Sequence, residues 1–313
     1  MNRCPLTYEA IAADADYSAK GLRGLSPRLG ELRPFPYSVE EQVREAALRA
    51  RHMSIQGVQP KLSVKLNVKA GLFEVVNTGG RYILKPRNPM YPELPENEDL
   101  SMRLAKSVGI DVPFHGLIRC SDGSRSYIIR RFDRIGNNKL AVEDFAQLSG
   151  ESRETKYRSS VEKVAALTNY CTFPAVERVR LFRRLLFNFV IGNEDMHLKN
   201  FSLITRGAKT ELAPAYDFLN TTAVFRVMGR GVDDIEESAL PLNGKKRKLS
   251  RSDWIDYLAY DRLGLPEGPV NQILRDLEDA ANVWADTVAI SFLSPAHQDI
   301  YQEVITRRLG TIL

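Results

Sequence analysis

The chain has 313 residues, of which 43% are hydrophobic and 27% charged, and it carries a formal net charge of +5 at pH 7. This is the composition of an ordinary globular protein with one large domain or two closely packed ones. The three cysteines are widely spaced and odd in number, which argues against a disulfide framework or a zinc site and favours a reducing compartment. No apolar run approaches the roughly 20 residues of a membrane span, and we expect no signal peptide. We therefore expect a cytoplasmic protein without membrane contact.

The first third of the chain predicts a small antiparallel sheet. Three segments alternate apolar and polar residues between glycine-containing turns, and they cover residues 62–66, 72–76 and 82–85. A capping box at Ser38-Val39-Glu40-Glu41 predicts a helix before them, and a further helix is predicted over 95–108. Residues 116–134 predict a hairpin that runs out of this sheet towards the rest of the chain.

Beyond this hairpin the sequence pattern is mainly helical. Helices are predicted over 142–149, 159–171 and 176–191, and again from residue 252 onwards. A sheet-rich front over 1–130 and a helix-rich back over 131–313 predict an α+β fold of two lobes, with an antiparallel-sheet N-lobe and a helical C-lobe.

The loop after the helix over 176–191 carries the strongest chemical signal. Apolar residues from Val176 to Val190 recur at helical spacing, and Gly192-Asn193 then breaks the helix. Asp195 and Asn200 follow on a short polar loop before a predicted strand. Protein kinases use an Asp and an Asn at this spacing, the Asp to orient the attacking hydroxyl and the Asn to hold a metal ion.

A second carboxylate supports this interpretation. Asp217 follows a second predicted strand and matches the position of the kinase aspartate that binds Mg²⁺. One amide and two carboxylates supply the hard oxygen ligands that Mg²⁺ prefers. Asp and Asn are also ordinary loop residues, so the pair by itself is weak and gains weight only from Asp217 and the features upstream.

Three upstream features fit phosphate binding, and each has a simpler alternative. The loop over 54–63 precedes the first strand, where kinases cover the ATP phosphates, or it is an ordinary turn. It has one glycine and matches neither Walker A nor a Gly-x-Gly-x-x-Gly motif. Lys85 ends a strand, where an ammonium could pair with ATP phosphates, or it is an ordinary strand-edge lysine. Glu98 could pair with Lys85, or it is a carboxylate favoured by the helix dipole.

The basic run Lys245-Lys246-Arg247-Lys248 is weakly specific. We interpret it as a solvated loop, with contact to nucleic acid or an acidic partner as the alternative. With a net charge of only +5, we do not expect direct nucleic-acid binding.

Taken together, these motifs resemble the HipA family of bacterial serine/threonine kinases over about residues 50 to 310. The segments that carry the resemblance are 54–63, 82–86, 97–98, 131–134, 143–145, 192–202 and 216–217. About fifty residues precede the Gln59-Pro60-Lys61 loop, so the chain is similar to the short HipT kinases, which lack the additional N-terminal subdomain of HipA.

The resemblance implies a role for each matching residue. Asp195 would be the catalytic base, Asn200 and Asp217 would hold Mg²⁺, and Lys85, supported by Glu98, would hold the ATP phosphates. Ser54 would be the autophosphorylation site. A phosphate added there would be repelled by the ATP phosphates, so the loop should move out and activity should fall. The remaining residues implied to bind the nucleotide are Ser54, Gln56, Gly57, Val58, Lys61, Arg131, Phe132, His197 and Lys199.

The resemblance also implies a biological role. Family members act as growth-arresting toxins of toxin–antitoxin systems and phosphorylate translation proteins such as aminoacyl-tRNA synthetases. The implied partners are a HipB-like DNA-binding antitoxin and a small HipS-like protein. The alternatives are a small-molecule kinase on a related fold and a catalytically silent module that binds an antitoxin or DNA.

Overall fold

The structure is a computed structural model that describes residues 2–49, 59–136, 138–152 and 154–313, with Asp233 described by its backbone alone. The described residues form two compact units. The first comprises those within 1–99, 113–137 and 290–293, and the second those within 100–112, 138–289 and 294–313. Because each unit is discontinuous in sequence, the lobe boundary between residues 130 and 131 stays a prediction.

The first unit contains a five-stranded antiparallel sheet. Its strands are β1 (Leu62–Asn67), β2 (Leu72–Val75), β3 (Tyr82–Lys85), β4 (His115–Arg119) and β5 (Arg125–Arg130), in the order β2-β1-β3-β5-β4. The three predicted front strands are confirmed. The hairpin prediction was wrong in its direction, because β4 and β5 belong to the sheet and β5 pairs along all of β3.

One face of this sheet is covered by the N-terminal part of the chain. Helices α1 (Ala19–Leu25) and α2 (Val39–Arg49) precede the sheet, and the predicted capping box is present, since the Ser38 amide donates to Glu41 Oε2 at 2.7 Å. Apolar residues of this part and of the strands share one core. The N-terminal part contributes Leu25, Leu29, Leu32 and Phe35, and the strands contribute Leu62, Val64, Leu84 and Ile128. Residues from the first 37 positions therefore contribute to the core of the first unit.

Helix α3 (Leu94–Ser107) begins one residue before the predicted start, and its residues are divided between the two units. After β6 (Arg134–Ile135) and β7 (Asn138–Lys139), strand β8 (Ala141–Asp144) leads into α4 (Phe145–Leu148). The predicted helix over 142–149 was therefore wrong for residues 142–144 and confirmed for residues 145–148. Residues 141–144 are extended because they pair with β9 (Ser202–Arg206), which also pairs with β10 (Lys209–Leu212).

The second unit is built around α6 (Pro174–Val190). Besides α4 and residues 100–107 of α3, it contains the α-helices α5 (Val161–Ala166), α7 (Thr221–Val227), α8 (Glu267–Ala289) and α9 (Pro295–Ile312), and a π-helix covers Asp253–Arg262. The predicted apolar face of α6 is buried from Phe182 to Val190, where Phe187 lies edge-on to Trp284 and Phe189 packs on Trp254. Val176 is the exception, because it lies in the first turn with 52% of its surface exposed.

No helix within the described parts of the chain is long and apolar enough to cross a membrane.

Candidate active site

The loop that carries Asp195 starts at a glycine that no other residue could replace without strain. Gly192 adopts φ +73°, and a Cβ at this position would lie 2.6 Å from Val304 Cγ1. Its carbonyl accepts a hydrogen bond of 3.0 Å from the amide of Thr222. The chain therefore leaves α6 through a left-handed turn, and the packing around residue 192 leaves room only for glycine.

The buried side chain of Asn193 links the loop of Asp195 to its neighbours. Its Nδ2 donates to Asn188 Oδ1 at 2.8 Å and to the Asp217 carbonyl at 3.4 Å, and its Oδ1 accepts from the Asp195 amide at 3.2 Å. The side chain is 3% exposed. One buried amide thus ties α6 to both segments that carry the predicted catalytic carboxylates. The sequence predicts Asn193 as a helix breaker and as part of the segment over 192–202 that resembles the HipA family, but it gives no sign of these contacts.

The spacing between Asp195 and Asn200 has a structural reason. Asn200 Nδ2 donates to the Asp195 carbonyl at 3.0 Å, and the amide of His197 donates to the same oxygen at 2.9 Å. Asn200 is 8% exposed, whereas the Asp195 side chain is 51% exposed. The loop therefore presents the Asp195 carboxylate to solvent. The bond through Nδ2 does not use the Asn200 amide oxygen, which could bind a hard cation.

Asp217 has an unusual backbone. Its φ is +57°, a conformation that Asp adopts more readily than most residues but that still stores strain of about 1 kcal/mol. The preceding Tyr216 donates its hydroxyl to the Lys199 carbonyl at 3.0 Å, and the following Phe218 packs on Phe187. These contacts hold the Asp217 segment against the loop of Asp195. A strained carboxylate held on both sides is typical of a functional position.

Two residues near Asp195 were not predicted. The Tyr157 hydroxyl donates to Asp195 Oδ1, and the Tyr157 ring lies edge-on to His197 with a centroid distance of 5.0 Å. His197 is buried, and burial lowers its pKa even though the Asp195 carboxylate opposes the shift. The neutral imidazole accepts a hydrogen bond of 2.6 Å from Lys156 Nζ. No local motif around residues 156–157 signals these contacts, because they join positions about forty residues apart.

In the first unit, Lys85 and Glu98 form the predicted ion pair. Lys85 Nζ lies 2.6 Å from Glu98 Oε1, and the two side chains are 4% and 0% exposed. The ammonium also lies 5.6 Å from the centroid of the Tyr127 ring. Lys85 is therefore not an ordinary strand-edge lysine, since β3 lies between β1 and β5. Glu98 is not an exposed first-turn carboxylate either.

The start of α3 is unusually polar for a buried segment. Glu96, Asn97, Glu98 and Asp99 are all 0% exposed. Glu96 contacts Arg87 and lies 4.0 Å from Arg125, while Asp99 Oδ1 lies 2.8 Å from His115 Nδ1. Buried carboxylates need such partners, because an unpaired buried charge is costly. Glu98 and Asn97 were among the residues that carry the resemblance, whereas Glu96 and Asp99 were not predicted to be part of the site.

The other predicted nucleotide-binding residues are less clearly oriented. Arg131 is committed to a bidentate ion pair with Asp133, with bonds of 3.0 and 2.8 Å. Lys61 directly precedes β1, and Lys61 and Phe132 are both half-buried. Lys199 Nζ lies 3.9 Å from Asp144 Oδ2. Ser54, Gln56, Gly57 and Val58 lie outside the described residues. Nucleotide binding by all of these residues stays a prediction.

The donor set in the second unit suits magnesium better than a transition metal. The described residues contain no cluster of three or more His, Cys, Asp and Glu side chains that could hold a metal ion. The Asn200 amide oxygen and the Asp217 carboxylate are hard oxygen donors on neighbouring segments. Mg²⁺ is usually bound by one or two such protein groups together with substrate phosphates and water. The residues present therefore fit Mg²⁺ delivered with a nucleotide.

The basic run is largely occupied by acidic neighbours. Lys245 Nζ lies 2.9 Å from Asp253 Oδ1, and Lys246 Nζ lies 3.1 Å from Glu236 Oε2. Arg247 donates to the Asp234 carbonyl at 3.2 Å. These contacts give the run a structural role within the second unit.

Comparison with known proteins adds a family and a fold. The family described as HipA-like C-terminal domain matches residues 53–284. A protein of Haemophilus influenzae named "Putative kinase" is 28% identical over 348 aligned positions, which cover all of this chain and 98% of the relative. The serine/threonine-protein kinase toxin HipA of Shewanella oneidensis is 28% identical over 189 positions. This second alignment covers 54% of the chain and 43% of the toxin, so the chain spans less than half of that relative.

Among solved structures, the complex of HipA, HipB and operator DNA from Shewanella oneidensis contains a similar chain. The TM-score is 0.67 at 22% identity, and the match covers 90% of this chain and 73% of the other. At this identity the likeness shows the fold alone. The predicted α+β, protein-kinase-like fold of the HipA type is confirmed.

Proposed function

The chain belongs to the family of the HipA-like C-terminal domain, and from this premise we propose that it is a Mg²⁺- and ATP-dependent protein serine/threonine kinase. We further propose that it is the toxin of a bacterial toxin–antitoxin system, of the short HipT type, and that it acts in the cytoplasm. One observation carries the kinase proposal. Asp195 stands exposed on a loop whose backbone is held by Asn193 and Asn200, and Asn193 also holds Asp217.

Each residue of this loop has a distinct task in phosphoryl transfer. The Asp195 carboxylate accepts a hydrogen bond from the acceptor hydroxyl, orients its oxygen towards the phosphorus and takes up its proton. The Asn200 amide oxygen and the Asp217 carboxylate would hold Mg²⁺, and the ion would supply positive charge to offset that of the phosphates. In the first unit, Lys85 contributes an ammonium for the phosphates, and Glu98 fixes its position.

The toxin role rests on relatives. The matching Shewanella oneidensis protein is named a kinase toxin, and the matching structure contains HipB and operator DNA. We propose a HipB-like DNA-binding antitoxin as a partner, and a small HipS-like protein as a second one. The proposed substrate is a translation protein of the aminoacyl-tRNA synthetase class, and the proposed autophosphorylation site is Ser54.

The experiment is intact-mass spectrometry after incubation with Mg²⁺ and ATP, followed by peptide mapping. Wild type is compared with Asp195→Asn, Asp217→Asn and Ser54→Ala, with Asp286→Asn as a matched control on the exposed surface of α8. We expect one added phosphate in wild type and in the control, and none in the other three variants. Expression of the same proteins in growing cells tests the toxin role.

The outcomes separate the alternatives. Growth arrest by Asp195→Asn or Asp217→Asn equal to that by wild type would refute a kinase toxin. Transfer to an added metabolite without any phosphoprotein would favour a small-molecule kinase. A protein that neither binds ATP nor transfers phosphate, yet binds an antitoxin, would be a silent binding module.

A further inference from the structure

The hydroxyl of Tyr157 lies where the proposed reaction would place the acceptor hydroxyl. Its hydroxyl donates to Asp195 Oδ1 within the second unit. A catalytic base must lie within about 2.6–3.2 Å of the hydroxyl that it activates. A tyrosine hydroxyl on Oδ1 therefore competes with an acceptor hydroxyl for this carboxylate oxygen.

The contact belongs to a short segment that lies across the loop of Asp195. Lys156 Nζ binds His197 Nε2 at 2.6 Å, and the Lys156 carbonyl accepts from the Leu198 amide at 3.5 Å. The ring of Tyr157 stands edge-on to His197, with an angle of 81° between the ring planes. The residues at 154–158, which we call the covering segment, thus make specific polar contacts with the loop.

The covering segment is partly exposed. Tyr157 is 41% exposed, and the half-buried Lys156 has its ammonium 4.8 Å from the Tyr157 ring centroid. The segment has turn structure without a strand or helix of its own. Regions with few buried apolar contacts open at low free-energy cost. Burial and the Asp195 carboxylate both raise the pKa of Tyr157, so its hydroxyl stays protonated and remains a donor.

We infer that Tyr157 is an internal stand-in for the acceptor hydroxyl, which a serine or threonine must displace from Asp195 before phosphoryl transfer. This inference rests on the proposed kinase function. It assigns to the covering segment a regulatory role: a substrate or partner that draws it away from the loop would activate the enzyme. A residue that merely supported Asp195 would have the opposite effect on activity when removed.

Tyr157→Phe is the decisive variant, because it removes the hydroxyl and keeps the ring against His197. Tyr170→Phe is the control, since Tyr170 is 63% exposed at the end of a 3₁₀-helix. The first readout is ADP formation from Mg²⁺ and ATP in the presence of dephosphorylated casein, which counts transfer to any hydroxyl, including water. The second is hydrogen exchange of the peptide over 154–158.

We expect Tyr157→Phe to raise ADP formation about ten-fold with an unchanged KM for ATP, because a hydrogen bond to a charged group no longer competes with the acceptor. Exchange over 154–158 should rise several-fold, and Tyr170→Phe should match wild type in both readouts. If wild type is active and Tyr157→Phe forms ADP at the same or a lower rate, the stand-in role is wrong and the proposed kinase function is unaffected. No ADP from any variant or from wild type would overturn the proposed function, and the stand-in role with it.

Discussion

Replacing Lys85 by methionine should destabilise the first unit far more than the loss of a surface ion pair would. At the observed 2.6 Å, the attraction between the Lys85 ammonium and the Glu98 carboxylate is about 6 kcal/mol at an effective dielectric constant of about 20. Desolvation of two buried ions offsets most of this gain, so the intact pair contributes little net free energy. Removing one partner alone keeps the desolvation cost of the other, and the expected loss is roughly 3–5 kcal/mol.

The double variant Lys85→Met with Glu98→Gln tests this reasoning. It removes both charges, so its free energy of unfolding should exceed that expected from the sum of the single losses by about 2 kcal/mol or more. Both tryptophans, Trp254 and Trp284, belong to the second unit. Urea unfolding is therefore followed by circular dichroism and by hydrogen exchange on β3. The double variant should still lack phosphoryl transfer, since the ammonium for the phosphates is gone.

If the double variant lost as much free energy of unfolding as the two single variants together, neither charge would depend on the other. That result would refute this reasoning. A surface pair supplies the comparison. Lys20 and Glu9 lie 2.9 Å apart with side chains 72% and 39% exposed. Replacing either residue should change the free energy of unfolding far less than Lys85→Met does.

Three further variants probe the loop of Asp195. Gly192→Ala should cost roughly 2–5 kcal/mol in urea unfolding, from its left-handed backbone and the contact with Val304, whereas Gly207→Ala, also at positive φ but with open space around it, should cost about 1–2 kcal/mol. Burial and a nearby carboxylate raise the pKa of Glu194 to about 7, so the folded state holds its proton more tightly than the unfolded chain, and stability falls as pH rises from about 4.5 to 7. Glu194→Gln should therefore stabilise the protein increasingly across this range, as measured by melting temperature against pH. Asn193→Ala should lower transfer on the order of 100-fold with little change in the KM for ATP, measured by steady-state kinetics.

Each of these has a contrary outcome. Equal losses for the two glycine variants would show that the packing at Gly192 is unimportant. A stability difference for Glu194→Gln that is constant from pH 4.5 to 8 would refute the raised pKa. Full activity of Asn193→Ala would mean that the loop of Asp195 keeps its shape without this amide.

The local features of the chain could be predicted from sequence. The strands β1 to β3 and the helix α3 follow from periodicity and capping, which depend on neighbouring residues. The interval between Asp195 and Asn200 was also readable, because both residues lie on one short loop. The failures came where a distant partner decides. Residues 141–144 form a strand only because β9, about sixty residues away, offers a ladder.

The sequence by itself thus determined the family, through motifs with fixed spacing. Tertiary structure alone decided that Lys85 is buried against Glu98, that Asn193 links both carboxylate segments, and that Tyr157 reaches Asp195 from 38 residues away. The physical reason is that a hydrogen bond or an ion pair across the fold needs only two compatible groups, and neither group marks its own neighbourhood in sequence. Packing brings them together, and only packing determines which of many compatible groups meet.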